Sequence, residues 1–225
     1  MPQILFIHSS AFASEVRKEN QGSYTRKMAR ILRETIRGRG VKIVERDVAA
    51  KPPGMIDQSF LQAARTSASN RTPEQIERLR ESDELVGEVL ASDVLVISCP
   101  VYNFPAPLKA WIDNIVREGK TYTFGEGRNA KRVYGLLHNK LVVLLQSSGS
   151  SGFHTGGSRE SLNHADKAVI AVFTELGVHK FEKASMEGVC EETDETLERN
   201  WIQCERRLAE IADRIKVRWR DQHRA

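Results

Sequence analysis

Hydroxyl-bearing residues follow the first apolar run of the sequence, where they are suited to bind an anion. The run from Ile4 to Ile7 leads into Ser9, and a polar loop then leads to Ser23, Tyr24 and Thr25, where the first helical pattern begins. Hydroxyls and backbone N–H groups at a helix N-terminus attract anions, because the helix dipole and the unpaired donors face the ligand. The spacing therefore favours a phosphate site. The alternative interpretation is that Ser23 or Thr25 only caps the helix and that Ser9 is only a turn residue.

The two best-known glycine-rich phosphate loops are missing from this sequence. No GxGxxG follows the first apolar run, and no GxxxxGK[ST] occurs anywhere. A tight site for a dinucleotide or a nucleoside triphosphate is therefore disfavoured. A hydroxyl-lined loop suits instead the phosphate of flavin mononucleotide, FMN.

A second loop combines prolines with aromatic residues and follows the third apolar run. It contains Pro100, Val101, Tyr102, Asn103 and Phe104. Prolines at 100, 105 and 107 stiffen this loop, so that a rigid backbone can be aimed at a planar ring. The alternative is that Phe104 and Trp111 are core residues and that Pro107 is an ordinary first residue of a helix.

A third loop is rich in serine and glycine and follows the fourth apolar run. It contains Ser147, Ser148, Gly149 and Ser150, with His154 shortly after them. Glycine and serine allow close backbone approach and donate hydrogen bonds, which indicates another ligand-facing loop. A mobile surface loop is the alternative. His154 is a candidate donor to a bound substrate oxygen, although it is equally compatible with a solvent-facing position.

The elements that must position these loops alternate between strands and helices. The apolar runs predict strands at 4–7, 41–44, 94–97, 141–145 and 181–186, and the helical patterns span 25–39, 73–90, 107–117, 158–176 and 193–217. Continuous runs of Val, Ile and Leu are typical of strands covered on both faces. We therefore predict an α/β fold with a doubly wound parallel sheet, whose ligands bind at the carboxyl ends of the strands.

The start of the second predicted helix, at residue 73, has the clearest local sequence signal. Thr72 is followed by Pro73 and, three residues after the threonine, by Gln75, which predicts a capping box with proline at the first helical position. Apolar residues then recur at helical spacing and predict a core-facing stripe of Ile76, Leu79, Val86, Val89 and Leu90.

Composition excludes several classes of protein. The 225 residues carry 34 Lys and Arg against 30 Asp and Glu, a net charge of +4, without the one-sided excess of a nucleic-acid-binding protein. Cys99, Cys190 and Cys204 have neither disulfide-framework nor zinc-site spacing, and Cys99 is expected to be a buried packing residue. No apolar run is long enough for membrane insertion. We expect a cytoplasmic protein with a single domain at 1–217 and a basic tail at 218–225.

Several segments together resemble one family. The segments 100–104 and 108–113 are similar to the flavin loop of FMN-dependent NADH azoreductases, which belong to the flavodoxin-like NAD(P)H:quinone oxidoreductases. The similarity continues at 46–52, 82–85, 119–124 and Glu187-Gly188, and so spans nearly the whole chain. The resemblance implies a flavodoxin-like sheet of five strands in the order 2-1-3-4-5.

The resemblance also implies roles for the residues singled out above. Ser9, Ser23, Tyr24 and Thr25 would hold the FMN phosphate, residues 100–104 would run beside the isoalloxazine and ribityl chain, and residues 147–150 would bond the ring's polar edge. Tyr122 and Phe124 would be walls of the substrate pocket. The flavin would carry the chemistry, so no side chain is nominated as a catalytic acid or base, and no metal is expected.

The activity implied by the resemblance is a two-electron ping-pong reaction. NADH or NADPH would reduce the flavin and leave, and a quinone or azo compound would then be reduced in the same pocket. Family members are typically homodimers, so the resemblance implies a dimer. Two alternatives stay open: a flavodoxin-type electron carrier, although such carriers tend to be shorter and strongly acidic, and an interaction module that has lost its cofactor.

Overall fold

The computed structural model describes residues 1–15, 22–38, 40–101, 105–126 and 130–222. Its centre is a parallel sheet of five strands: β1 (Gln3–His8), β2 (Lys42–Asp47), β3 (Val94–Pro100), β6 (Leu141–Ser147) and β7 (Lys180–Met186). The strand order is β2-β1-β3-β6-β7. This is the predicted order 2-1-3-4-5, which is thereby confirmed.

Helices cover both faces of this sheet. They are α1 (Tyr24–Ile36), α2 (Gln58–Arg65), α3 (Pro73–Ala91), α4 (Ala106–Ile115), α5 (Ala165–Glu175) and α6 (Asp194–Gln222). Helices α1 and α6 pack on one face of the sheet, and α3, α4 and α5 pack on the other. Because successive strand residues point to opposite faces, Ile4 and Phe6 join the first core while Leu5 and Ile7 join the second. The apolar strands of the sequence are thus buried from both sides.

Helix α3 begins as predicted, but its buried stripe differs. The capping box of Thr72 and Gln75 is present with both hydrogen bonds. Leu79, Val86 and Val89 are buried, whereas the prediction was wrong for Ile76, which is 57% exposed, and for Leu90, which is 45% exposed. The buried arc of the helix is centred on Ser82, Leu85 and Val89, so positions 76 and 90 lie outside it at the helical repeat of about 3.6 residues per turn.

Two elements were absent from the sequence interpretation. Helix α2 is capped by the Asp57 carboxylate, which accepts a hydrogen bond from the Phe60 amide at 2.8 Å. An antiparallel hairpin joins β4 (Tyr122–Phe124) to β5 (Val133–Gly135). The hairpin follows α4 and carries the two aromatic residues assigned to a substrate pocket.

The last helix is longer than predicted. Helix α6 runs to Gln222, so residues 218–222 continue it. The division into a domain at 1–217 and a tail at 218–225 stays a prediction. Within the described residues, no helix is both long and apolar enough to cross a bilayer.

Candidate functional site

The hydroxyls predicted to bind phosphate lie where β1 ends and α1 begins. Ser23 caps α1, with its Oγ accepting a hydrogen bond from the Arg26 amide at 3.2 Å and lying 3.0 Å from the Oγ1 of Thr25. Ser9 is buried and donates its hydroxyl to the carbonyl of Ser98 at 2.6 Å. Its hydroxyl proton is therefore already engaged in joining β1 to β3. Tyr24 is also buried, and its ring lies 5.9 Å from that of Trp201 on α6.

Three buried polar atoms at this edge of the sheet lack a hydrogen-bond partner in the part of the chain that the structure describes. They are the Oγ of Ser10, the Oγ of Ser98 and the Nδ1 of His8. Ser10 and Ser98 are each only 1% exposed. A buried polar atom without a partner costs about 1 to 3 kcal/mol, so such atoms mark places where a polar ligand belongs.

Ser10 is the functional candidate that sequence reasoning missed. Ser9 and Ser10 are adjacent and of the same type. Residue type alone does not distinguish a hydroxyl bound to the neighbouring strand from a free one. The difference depends on where the chain leaves the sheet at the end of β1.

Arg26 holds the β1–α1 loop beside these hydroxyls. Its guanidinium donates to the carbonyls of Ser10 at 3.1 Å and Phe12 at 2.6 Å, and forms an ion pair with Asp47 at 2.8 Å. The arginine therefore brings positive charge to the start of α1, where the helix dipole has the same sign. Burial lowers the pKa of the neighbouring His8 below its usual value.

The second and third predicted loops lie side by side. Pro100 is the register partner of Ser147 across β3 and β6, and the Val101 amide donates to the Ser147 carbonyl at 2.7 Å. Val101 is half-buried. Tyr102, Asn103 and Phe104 lie outside the described residues. The ends of β3 and β6 thus bring the two loops to the same edge as Ser10.

The segment after β7 holds the serine-glycine loop in place. The amides of Gly188, Val189 and Cys190 donate to the carbonyls of residues 150, 148 and 149, at 3.1, 3.1 and 2.9 Å. Ser148 is buried, and its hydroxyl donates to the Ser150 carbonyl at 2.8 Å. At Gly149 an added Cβ would lie 3.3 Å from the Cys190 sulfur. Hydrogen bonds from the segment after β7 therefore hold the serine-glycine loop at 147–150 in place.

The three residues assigned to substrate lie in two places. His154 is 66% exposed and follows the serine-glycine loop, with its Nδ1 3.3 Å from a carboxylate oxygen of Glu187. Tyr122 and Phe124 instead line a groove of about 780 Å³ between α2, α4 and α5. Their rings meet edge to face at 5.6 Å between centroids. Of the predicted flavin-loop residues that the structure describes, none lines that groove.

Cys99 is a buried packing residue, as the sequence predicts. Cys99 is buried in the second core, where burial raises the pKa of its thiol to about 12. A thiol with so high a pKa stays protonated and unreactive at neutral pH. All three cysteines are free.

Comparison with known proteins gives one family and several full-length matches. The model of a family described as having a flavodoxin-like fold matches residues 2–208. The FMN-dependent NAD(P)H:quinone oxidoreductase 1 of Pseudomonas aeruginosa is 31% identical over 217 residues, covering 94% of this chain and 99% of that protein. The FMN-dependent NADH:quinone oxidoreductase 2 of Idiomarina loihiensis is 44% identical over 137 residues, or 60% of this chain and only 57% of the relative.

Solved structures give the same fold. An azoreductase from Bacillus anthracis has a TM-score of 0.81 at 20% identity, covering 95% of this chain and 100% of that one. An FMN-dependent NADH-azoreductase from the same species, solved with FMN, has a TM-score of 0.79 at 20% identity, with 96% and 99% coverage. At this identity the likeness establishes the arrangement of the strands and helices.

Proposed function

The chain belongs to the family of the flavodoxin-like fold, and on this premise we propose that it is an FMN-dependent NAD(P)H:quinone oxidoreductase that also reduces azo compounds. The observation that carries the proposal is the set of buried polar atoms at the ends of β1 and β3 that have no hydrogen-bond partner among the described residues, beside the capped start of α1. The names of the relatives supply the donor and the acceptors. The electron-carrier alternative is not favoured by any of these names.

The residues present fit FMN. We propose that Ser10, Ser23, Tyr24, Thr25 and the start of α1 bind its phosphate, with Ser9 holding β1 against β3 beneath them. Residues 100–104 and 147–150 would flank the ring, as the neighbouring ends of β3 and β6 allow. When bound, FMN would supply the centre that accepts a hydride from NADH or NADPH and passes two electrons to the acceptor.

The chain's own residues then bind, orient and exclude water. The helix dipole of α1 favours a dianionic phosphate at the β1–α1 loop, and Arg26 holds that loop in place through the carbonyls of Ser10 and Phe12. Hydrogen bonds from the segment after β7 hold the carbonyls of residues 148–150. The loop at 147–150 would therefore present its backbone to the polar edge of a ring in a fixed position. His154 would contact the substrate from its exposed position.

We extend the proposal to a homodimer, with a second copy covering the groove between α2, α4 and α5. Four large apolar residues of this groove are 38% to 42% exposed: Ile56, Leu61, Phe124 and Val133. Charges of both signs, including Lys109 and Glu175, surround them, which suits a two-fold contact of the surface with itself. Tyr122 and Phe124 would then wall a substrate pocket at the interface. Light scattering should give twice the mass of one chain, and a fully active monomer would contradict this part.

A cytoplasmic location also belongs to the proposal. The three free cysteines suit a reducing compartment. Fractionation of cells that express the full-length protein would place it directly.

The function is tested anaerobically on the purified protein. We expect a flavin band near about 450 nm that bleaches with NADH or NADPH and recovers when a quinone is added, because that band reports the reacting group. A bound flavin that neither nucleotide reduces would favour the electron carrier instead. Failure of the apoprotein to bind FMN at micromolar concentration would exclude both flavin functions.

The Ser10 assignment makes a separate prediction. Ser10→Ala should weaken FMN binding about tenfold or more, because a hydrogen bond to a charged phosphate is worth about 1.5 to 3 kcal/mol. Fluorescence titration of the apoprotein with FMN measures the change. Ser14→Ala is the matched control, since Ser14 is exposed and supplies only its carbonyl to the Ser23 amide. Unchanged affinity in Ser10→Ala would remove Ser10 from the phosphate site.

A further inference from the structure

One carboxylate oxygen of Glu187 lies within reach of three donors from a single loop. Its Oε2 accepts the amides of Gly152 and Phe153, both at 2.9 Å, and lies 3.3 Å from the Nδ1 of His154. The glutamate directly follows β7, and its side chain is 13% exposed. Two successive backbone N–H groups that converge on an anion form a nest, in which the peptide dipoles stabilise the negative charge. Gly152 has a φ of +89°, a conformation that glycine adopts without strain.

Other carboxylates in the same segment have different partners. Glu191 accepts the Ser151 amide at 3.1 Å and pairs with Arg159 at 3.0 Å, and Glu192 accepts the Ser151 hydroxyl at 2.7 Å. Within the described residues, no lysine or arginine forms an ion pair with Glu187. The Oε2 atom of Glu187 thus faces residues 152–154.

A carboxylate next to one ring nitrogen decides which form of an imidazole is present. When Nδ1 carries the proton and donates to Glu187, the neutral ring has Nε2 as an acceptor, and only the protonated ring donates from both nitrogens. His154 is two-thirds exposed, so its ring is accessible to a ligand. Reduction of a quinone by NADH takes up one further proton (Q + NADH + H⁺ → QH₂ + NAD⁺), so the protonation of this ring bears on the reaction.

We propose that Glu187 is a positioning residue, which holds the 152–154 loop in its nest and sets which ring nitrogen of His154 carries the proton in the neutral ring. The proposal rests on the flavin function proposed above. Residues 152–154 follow the serine-glycine loop at 147–150 in the chain. The nest therefore also fixes the position of the end of that loop. Glu187 thereby couples the end of β7 to the loop that would face the ring and the substrate.

The first test uses the apoprotein and needs no flavin. Glu187→Ala should speed hydrogen exchange of the Gly152 and Phe153 amides about tenfold or more, because both lose a charge-assisted hydrogen bond. In ¹⁵N spectra the His154 ring should change from the Nδ1–H to the Nε2–H tautomer, because the carboxylate that accepts from Nδ1 is gone. Glu192→Ala is the matched control, since it removes an equal charge from the same segment without touching residues 152–154. Glu187→Gln, measured in the same way, replaces the alanine variant if that variant does not fold.

The second test uses the FMN-loaded protein. Glu187→Ala should lower kcat about tenfold or more with a smaller change in KM for the nucleotide, and His154→Ala should add little to it in the double variant. Unaltered exchange and an unaltered tautomer in Glu187→Ala, or equal changes in Glu192→Ala, would overturn the proposal. If the wild-type protein proves inactive, the proposed function fails while the apoprotein measurements still decide the role of Glu187.

Discussion

Gly135→Ala is expected to lower the free energy of unfolding by about 3 kcal/mol or more, because it forces a methyl group into backbone that cannot move aside. An added Cβ would lie 2.0 Å from the carbonyl carbon of Leu176 and 2.1 Å from the amide nitrogen of Gly177. These atoms belong to the end of α5, against which β5 packs, and the Leu137 amide donates to the Leu176 carbonyl at 2.8 Å. Urea unfolding of the apoprotein measures the loss. The hairpin that carries Tyr122 and Phe124 would separate from α5.

The chain offers a matched glycine for comparison. Gly87 is exposed in the middle of α3, where an added Cβ meets nothing within 4 Å. Gly87→Ala should therefore stabilise the protein by about 0.5 to 1 kcal/mol, since alanine is the better helix former. Equal unfolding midpoints for the two variants would contradict the close packing of β5 on α5.

Arg117→Ala is expected to destabilise the protein by about 3 kcal/mol, since it removes a buried cation together with its packing. The side chain is 2% exposed, and its guanidinium lies 2.6 Å from the Ser82 hydroxyl and 3.0 Å from the Asp83 carboxylate. The guanidinium carbon also lies 5.7 Å from the centre of the Phe60 ring. Burial lowers the pKa of Arg117, an effect that Asp83 opposes. Arg117 thus contacts α2 and α3 from its position just after α4.

A less buried cation next to the same carboxylate is the control for Arg117. Lys120 lies 3.3 Å from Asp83 with a side chain that is 36% exposed. Lys120→Ala should cost about 1 kcal/mol or less, as exposed ion pairs do. Arg117→Lys should fall between the two, because lysine keeps the charge but lacks the planar donor geometry. If urea unfolding shows that Lys120→Ala destabilises the protein more than Arg117→Ala does, the role given to Arg117 is refuted.

The order of elements and the edge that carries the site could be predicted from the sequence. Both follow from local signals: the continuous apolar runs of β1, β3 and β6, the capping box at Thr72, and the polar residues that follow each run. Parallel strands joined by helices bring their carboxyl ends to one edge, so Ser9, Pro100 and Ser147 were expected to lie along it. Their binding roles stay predictions.

Errors in the sequence interpretation occurred where local pattern and tertiary packing disagree. Ile76 and Leu90 have apolar side chains at helical spacing, yet the sheet and α4 contact a different arc of α3. Helix α2 and the β4–β5 hairpin are short and half-exposed, so they lack the continuous apolar run that marks the central strands. Contacts with distant residues stabilise both elements.

By itself, the sequence determined the α/β alternation, the starts of α1, α3, α4 and α6 to within one residue, and the residue types available to bind a phosphate and a planar ring, whereas α5 begins at Ala165 and not at the predicted residue 158. These properties depend on a few neighbouring residues and on the helical or strand repeat. Only the tertiary structure decided that Ser9 bonds to Ser98 while Ser10 finds no partner among the described residues, that Glu187 accepts from the loop of His154, and that Gly135 touches the end of α5. Each of these depends on directions and distances between segments far apart in the chain, which residue type and spacing do not specify.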